Sequence, residues 1–247
     1  MIQTQVRELG RIGMLFGQIL GSLSLRRGQF RDIVIQCYTV GARSLPIIAV
    51  GGLFVGLVIS LQGYRALEVI GASSALGTAI GIPLYRELGP VLAAILFCGR
   101  AGSSMAAELG LMRATDQITA LSMMAIDPIG KVVAPRFVAG VVALPLLTAV
   151  FCAFAILGAY LQAVWVLGID SGFFWSALQG SVDFVDDFGQ CFTKATAFGF
   201  ACTLIAVHVG YSAEPTIEGT SIATTRSVVL GSLMVLFLDF VLGATLY

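Results

Sequence analysis

The amino-acid sequence predicts an all-α integral membrane protein with an amino-terminal interfacial amphipathic helix, five transmembrane helices and a short cytoplasmic coupling helix between spans two and three. Composition predicts the class: 57% of the 247 residues are hydrophobic and only 11% are charged, and the mean hydropathy is +0.94. Because a soluble domain carries charge on about a quarter of its residues, this chain lacks the polar surface that a water-soluble fold requires. Soluble enzymes, disordered tails, coiled coils and secreted disulfide scaffolds are excluded.

The charges and cysteines narrow the function classes further. The 14 basic and 14 acidic residues balance to a net charge of zero, so no overall field indicates nucleic acid as a partner. The five cysteines are odd in number and form no CxxC pair or Cys/His cluster. We therefore expect them to act as small hydrophobic residues in a helix bundle, and we expect no metal site.

Residues 2–23 predict the first helix. At about 100° per residue its polar side chains share a sector of roughly 60°, opposite an apolar side that includes Leu20, and Leu15 interrupts the pattern slightly. The polar residues are Arg7, Arg11, Gln18 and Ser22. Arginines 26, 27 and 31 follow. We therefore expect residues 1–34 to form an amphipathic helix in the cytoplasmic membrane interface and a basic linker.

Five later runs are long and apolar enough to cross a bilayer. They are residues 44–64, 88–107, 137–169, 195–213 and 227–247. Arg100 interrupts the second run and Asp239 the fifth. The third run has 33 residues, which at about 1.5 Å each is longer than a hydrocarbon core of about 30 Å. We expect this helix to tilt, project or kink, and Pro145 is the expected kink.

The distribution of Lys and Arg predicts the orientation of the chain. Six arginines in residues 1–43, together with Arg113, Lys131, Arg136 and Arg226, place ten positive charges on one side. The other side has only Arg65, Arg86 and Lys194. By the positive-inside rule, the amino terminus is cytoplasmic and, after five spans, the carboxyl terminus is periplasmic.

The segment between spans two and three predicts a short amphipathic helix over residues 116–125. Thr115 is the expected cap, Asp116 complements the positive helix end, and Asp127-Pro128 stops the helix. The apolar side is Ile118, Leu121 and Ala125. The helix either serves as a handle for a cytoplasmic partner or connects two spans while lying on the bundle.

Four charged residues lie in or beside the outer half of the predicted spans. They are Arg86, Glu87, Lys194 and Asp239. Because an ion inside a bilayer is expensive, such residues pair or face a wet cavity. One hypothesis is a paired network near the exterior mouth of a cavity. The alternative is that the first three lie among lipid headgroups, an explanation that suits Asp239 poorly because apolar residues follow it.

Motifs for catalysis are absent from the sequence. There is no GxxxxGK[ST] phosphate-binding loop, so we expect no ATP site on this chain. His208 is the only histidine and belongs to no HExxH motif or serine–histidine–acid set. Glycines repeat every four residues at 13, 17 and 21 and again at 52 and 56, a spacing that permits close helix approach and often dimers.

Several motifs, in order and in register from about residue 35, resemble the MlaE (YrbE-type) permease family. They are residues 86–92 (RELGPVL), 99–102 (GRAG), 106–112 (AAELGLM), 116–121 (DQITAL), Asp127-Pro128, Pro135-Arg136, 223–229 (ATTRSVV) and 238–240 (LDF). Asp116 departs from the pattern, since the family more usually shows Glu there. The resemblance identifies residues 35–247 as a permease domain.

The resemblance implies the permease subunit of a lipid ABC transporter in the bacterial inner membrane. The permease is a homodimer; a cytoplasmic ABC ATPase (MlaF-like) binds the ATP and docks on the short helix. A periplasmic MCE-domain hexamer (MlaD-like) and a STAS-domain protein (MlaB-like) complete the assembly. Phospholipid moves between the inner and outer membranes, which maintains the lipid asymmetry of the outer membrane. The sequence does not determine the direction of transport, and it does not distinguish phospholipid from sterol as the cargo.

Residues and resemblance together assign two candidate sites. The expected ATPase contacts are Glu108, Met112, Asp116, Gln117 and Leu121. In the lipid cavity, Arg86 is expected to meet a lipid phosphate while Glu87, Lys194 and Asp239 hold the cavity's shape. The residues expected to bracket acyl chains are Leu61, Gln62, Leu88 and Leu92.

Two other classes of function are weighed against this one. An ion-coupled secondary transporter of an apolar substrate should show inverted repeats, and the chain has no visible internal similarity. A lipid-modifying enzyme needs a nucleophile with its base or a set of metal ligands, which one histidine and scattered cysteines do not supply.

Overall fold

The computed structural model describes residues 2–22, 27–69, 71–72 and 75–246, and it describes no side chains for residues 2–9, 27–29, 184 and 246. Within these residues the chain is helical and has no β-strand. The α-helices are α1 (Ile2–Ser22), α2 (Arg27–Val40), α3 (Leu45–Glu68), α4 (Leu76–Pro83), α5 (Gly89–Phe97), α6 (Ser103–Ala114), α7 (Gln117–Met123), α8 (Ala134–Leu161), α9 (Ser171–Ser181), α10 (Phe184–Tyr211) and α11 (Ile217–Leu246).

Five helical stretches among the described residues are long and apolar enough to cross a membrane, which confirms the predicted number of spans. They are Phe30–Glu68, Leu76–Ala114, Ile129–Val166, Val185–Tyr211 and Ile217–Thr245. Each is longer than, or displaced from, the predicted run, because a helix continues beyond the hydrocarbon core while a hydropathy pattern detects only the apolar part. The chain is therefore a multi-pass membrane protein.

Wide π-helical turns lie within the second span and at both ends of the third, and the sequence analysis did not predict them. They are Leu84–Leu88, Cys98–Gly102, Ile129–Val133 and Gln162–Val166. Two of them carry the arginines Arg86 and Arg100 of the second span. A π-helical turn inserts an extra residue into an α-helix and is frequent at functional sites. The two turns therefore indicate Arg86 and Arg100 as candidate functional residues.

The described residues form two compact units. The first consists of Met1–Arg43, Phe97–Ala143 and Gly199–Phe237, and the second consists of Ser44–Leu96, Leu144–Phe198 and Leu238–Tyr247.

In the first unit, the apolar side of α1 packs on protein. Leu15 and Ile19 are buried in a core with Leu109, Val133 and Val207. Leu15 is 6% exposed and Leu20 is 54% exposed. The predicted apolar side of α1 is therefore wrong at these two positions, because Leu15 belongs to the packed side of the helix and Leu20 does not. Arg7, Arg26 and Arg27, named in the sequence analysis, lie outside the residues whose side chains are described.

In the second unit, α3 and α8 meet backbone to backbone. A Cβ atom on Gly52 would lie 2.6 Å from the carbonyl oxygen of Phe151, and one on Gly56 would overlap the carbonyl of Ala155. Close approach at this glycine repeat agrees with its spacing. By contrast, no described atom lies within 4 Å of a Cβ built on Gly13, Gly17 or Gly21, so the repeat in α1 packs against no described part of this chain.

Candidate functional site

The structure brings Lys194 of α10 together with Asp239 of α11. The Lys194 ammonium nitrogen lies 3.4 Å from Oδ1 of Asp239, and the two side chains are 0% and 27% exposed. A lysine buried this completely in a membrane span stays charged only if an anion compensates it, because desolvation of an isolated ion costs several kcal/mol. Asp239 supplies that compensation, so the pair holds the fourth and fifth spans together.

Arg86 pairs with a residue that the sequence analysis did not select. Its Nε lies 2.6 Å from Oδ1 of Asp187, whose side chain is 0% exposed, while that of Arg86 is 34% exposed. Glu87 is exposed, and its carboxylate has no hydrogen-bond or ion-pair partner among the described residues. Two ion pairs are present here, Arg86–Asp187 and Lys194–Asp239, and a network that also includes Glu87 stays a prediction.

The buried carboxylate of Asp187 is fixed by the start of α10. Its Oδ2 accepts a hydrogen bond of 2.9 Å from the backbone N–H of Asp183. Asp183 in turn accepts, through Oδ1, a hydrogen bond of 3.1 Å from the N–H of Val185. This reciprocal arrangement resembles a capping box, which satisfies the unpaired donors at a helix start. The sequence showed four aspartates in this loop but no signal of which one is buried.

The predicted acyl-chain residues lie on the same unit as these pairs. Leu61 and Leu92 are half-buried, and Gln62 and Leu88 are exposed. Gln62 and Leu88 therefore lie at the surface of the second unit, which partly covers Leu61 and Leu92.

On the first unit, a salt bridge joins α6 to α8. Arg136 Nη2 lies 3.2 Å from Oε2 of Glu108, and Arg136 Nη1 donates a hydrogen bond of 2.9 Å to the carbonyl of Val132. A second ion pair joins Lys131 to Asp32 of α2. The guanidinium of Arg136 is largely buried and held at two points. The two helices on either side of α7 are therefore joined by a charge-assisted contact.

The short helix α7 differs in detail from its prediction. It spans Gln117–Met123, and Asp116 takes the left-handed conformation at φ 55 without capping through its side chain. Thr115 is not the cap, because its hydroxyl donates to the carbonyl of Leu111. Ala125, at φ 57, lies beyond the helix and is exposed. These two left-handed residues turn the chain sharply at both ends of the helix, so it is shorter than predicted.

The predicted ATPase contacts divide by exposure. Asp116 and Gln117 are exposed, whereas Glu108, Met112 and Leu121 are half-buried. Met112 and Leu121 line a cleft of about 300 Å³. Its other lining residues are Asp32, Ile35, Gln36, Lys131, Val132, Pro135 and Arg136.

Two apolar residues at the end of α7 were missed by the sequence analysis. Met123 is 83% exposed and Met124 is 61% exposed. Two adjacent methionines beside an amphipathic pattern were the available signal, since flexible methionines are common at binding surfaces. The exposed surface of this segment is therefore more apolar than the predicted contacts alone suggest.

Known proteins are similar to this chain over nearly its whole length. The family model described as "Permease MlaE" matches residues 33–245. The chain is 49% identical over 242 residues to the "Intermembrane phospholipid transport system permease protein MlaE" of Haemophilus influenzae, which covers 98% of the chain and 92% of that relative. It is 31% identical over 253 residues to a "Probable ABC transporter permease protein" of Rickettsia felis, with coverages of 98% and 97%. A Synechocystis protein likewise named as a probable ABC transporter permease is 32% identical over 229 residues, with coverages of 93% and 87%.

Proposed function

Because the chain belongs to the MlaE permease family, we propose that it is the membrane-spanning subunit of an ATP-driven transporter that moves phospholipid between the inner and outer membranes. The observation that carries this proposal is the 49% identity, over 98% of the chain, to a permease named for intermembrane phospholipid transport. Such transport maintains the lipid asymmetry of the outer membrane. The proposed location is the bacterial inner membrane, with a cytoplasmic amino terminus and a periplasmic carboxyl terminus.

The permease acts as a homodimer in this proposal. In the most apolar stretch of the fifth span only 11% of residues are buried, against 56% in the fourth span. Lipid alone covers apolar side chains well, but it does not suit the charged side chain of Arg100, which the first unit leaves half-buried in the second span. The side chain of Arg100 has no hydrogen-bond or ion-pair partner among the described residues. A second copy of the chain, or a wet cavity that it encloses, supplies the missing surroundings.

The lipid contacts follow from the outer charges. Arg86 contacts the lipid phosphate, since a guanidinium binds phosphate through several charge-assisted hydrogen bonds. The Lys194–Asp239 pair holds α10 and α11 together, and Glu87 lies on the exposed surface beside Arg86. The acyl-chain contacts are Leu61, Gln62, Leu88 and Leu92. The exposure of Gln62 and Leu88 in the single chain supports a cavity that is completed by the second copy.

Energy comes from a separate cytoplasmic ATPase, because the sequence has no phosphate-binding loop for ATP. The ATPase docks on α7 and its flanks, through Glu108, Met112, Asp116, Gln117 and Leu121. The exposed methionines Met123 and Met124 enlarge the apolar part of this surface. Because the Glu108–Arg136 salt bridge ties α6 to α8, a displacement of α7 is transmitted to two spans.

The remaining partners are an MCE-domain hexamer on the periplasmic side and a STAS-domain protein that binds the ATPase. The amino-terminal helix α1 lies in the cytoplasmic interface, where its arginines face lipid headgroups. No cofactor is bound by this chain in the proposal; ATP is bound by the partner.

Co-purification tests the proposed assembly. The tagged full-length chain is extracted from its native membrane in mild detergent, and mass spectrometry identifies the bound proteins and lipids. The expected result is an ABC ATPase, an MCE-domain protein, a STAS-domain protein and phospholipid. A chain that carries none of these and transports lipid in response to an ion gradient alone would contradict the proposal.

A further inference from the structure

The Arg86–Asp187 pair joins the π-helical turn of the second span to the start of α10. The contact is 2.6 Å long and connects residues that are 101 positions apart in sequence. Asp187 is completely buried, whereas Arg86 keeps 34% of its side chain exposed. The two residues therefore differ in exposure: Asp187 is fixed inside the protein, and the side chain of Arg86 extends from it toward the surface.

The carboxylate of Asp187 is held at both oxygens. Oδ2 accepts from the backbone N–H of Asp183 at 2.9 Å, and Oδ1 accepts from Arg86 Nε. The partial positive charge of a helix start stabilises an anion at this position. Asp187 is thus an anchor whose own position is set by the backbone of α10, and its second oxygen determines where the guanidinium lies.

The contact uses the Nε–H of Arg86. A guanidinium has five N–H donors in a planar fork, and Nε is the donor closest to the aliphatic stem. An anchor at Nε fixes both the plane of the fork and the direction of its terminal nitrogens. An arginine that lacks such an anchor loses more rotamer freedom when it binds a ligand, which weakens binding.

We propose that Asp187 is a positioning residue that orients Arg86 toward the phosphate of a bound phospholipid. This inference rests on the proposed function, in which Arg86 contacts that phosphate. Asp187 itself does not touch the lipid, because its side chain has no exposed surface. Its negative charge also balances the charge of Arg86, so that the site remains near neutral when no lipid is present.

The test compares two photoactivatable probes with the same acyl chains, one a phosphatidylethanolamine and the other the matching diacylglycerol without phosphate. Crosslinking yield against probe concentration is measured on the purified full complex. For Asp187→Asn we expect the half-saturating concentration of the phospholipid to rise about tenfold, the effect of losing one charge-assisted hydrogen bond. The value for the diacylglycerol should not change.

Neighbouring variants separate the possible explanations. Asp186→Asn is the matched control, because Asp186 is the adjacent, exposed aspartate of the same helix turn; it should behave as the wild type. Arg86→Ala should lose the preference for phospholipid over diacylglycerol, and the double variant Arg86→Ala/Asp187→Asn should lose no more. Size-exclusion profiles and melting temperatures confirm that each complex is assembled.

Each other outcome contradicts a specific statement. If Arg86→Ala removes the preference and Asp187→Asn leaves it intact, the positioning role of Asp187 is wrong while the lipid role of Arg86 stands. If Arg86→Ala also leaves it intact, the proposed lipid contact is wrong. Equal weakening of both probes by Asp187→Asn shows a merely structural role, and tighter binding of phospholipid shows that Asp187 competes with the phosphate. Both of these results overturn the positioning role.

Discussion

The ammonium group of Lys194, completely buried on α10, lies 3.4 Å from the carboxylate of Asp239 on α11. Removing one member of a buried ion pair costs about 3–5 kcal/mol, because the other charge is left uncompensated. We expect Asp239→Asn and Lys194→Met each to lower the melting temperature of the purified complex. The exchanged variant Lys194→Asp/Asp239→Lys should recover part of the loss in both stability and lipid transport. An exchange that performs no better than either single variant would show that the two charges do not act as a pair.

The Glu108–Arg136 salt bridge provides a second prediction, on coupling. Glu108→Gln removes the charge that holds Arg136 across α6 and α8 while it keeps a similar shape. We expect the rate of ATP hydrolysis by the assembled complex to change little and lipid transfer per ATP to fall severalfold. The matched control is Glu214→Gln, since Glu214 is an exposed acid of the same unit. Unchanged transfer per ATP in Glu108→Gln would contradict this coupling role.

The contact between α3 and α8 provides a prediction about stability. An added methyl group at Gly56 meets the backbone of Ala155, which cannot move aside without separating two helices. Overpacking of this kind costs about 1–3 kcal/mol or more. We expect Gly56→Ala to reduce the yield of monodisperse protein and its melting temperature. Gly180→Ala, on a helix of the same unit with no atom within 4 Å, should be neutral or slightly stabilising. Equal behaviour of the two variants would contradict the close packing.

The exposed methionines at the end of α7 predict part of the docking surface. Replacing both Met123 and Met124 by serine removes large apolar side chains that are 83% and 61% exposed. We expect less ATPase to co-purify with the tagged double variant, with no change in the melting temperature of the permease. Val69→Ser is the control, because Val69 is 86% exposed and lies on the predicted opposite side of the membrane. Full recovery of ATPase with the double variant would show that the two methionines are not part of the docking surface.

The spans and the Lys194–Asp239 pair could be predicted because both depend on local sequence and on bilayer energetics. A run of apolar residues is detected from its length alone, and a charge inside a span requires compensation wherever the chain places it. The partner of Arg86 could not be predicted in the same way. Four aspartates occur within residues 170–187, and only the packing of α10 against the second span determines that Asp187 is the buried one.

The helix starts and π-helical turns show why finer detail was missed. Thr115 and Asp116 both suit a helix cap by residue type, yet the backbone of Asp116 turns left-handed and Thr115 bonds back to the preceding helix. A π-helical turn leaves no change in hydrophobic composition, so hydropathy gives no signal of it. The packed face of α1 was predicted incorrectly for a related reason. Leu15 packs on a core most of whose members lie far away in sequence.

The most direct test of the central claim is ATP-dependent transfer of fluorescent phospholipid between vesicles, measured with the reconstituted complex and with the permease alone. The account predicts that transfer requires both the ATPase and ATP hydrolysis, and that it falls to background when residues 117–123 are scrambled in a permease that remains folded. Transfer at the wild-type rate by the permease alone under a proton gradient, or by the scrambled variant, would contradict it.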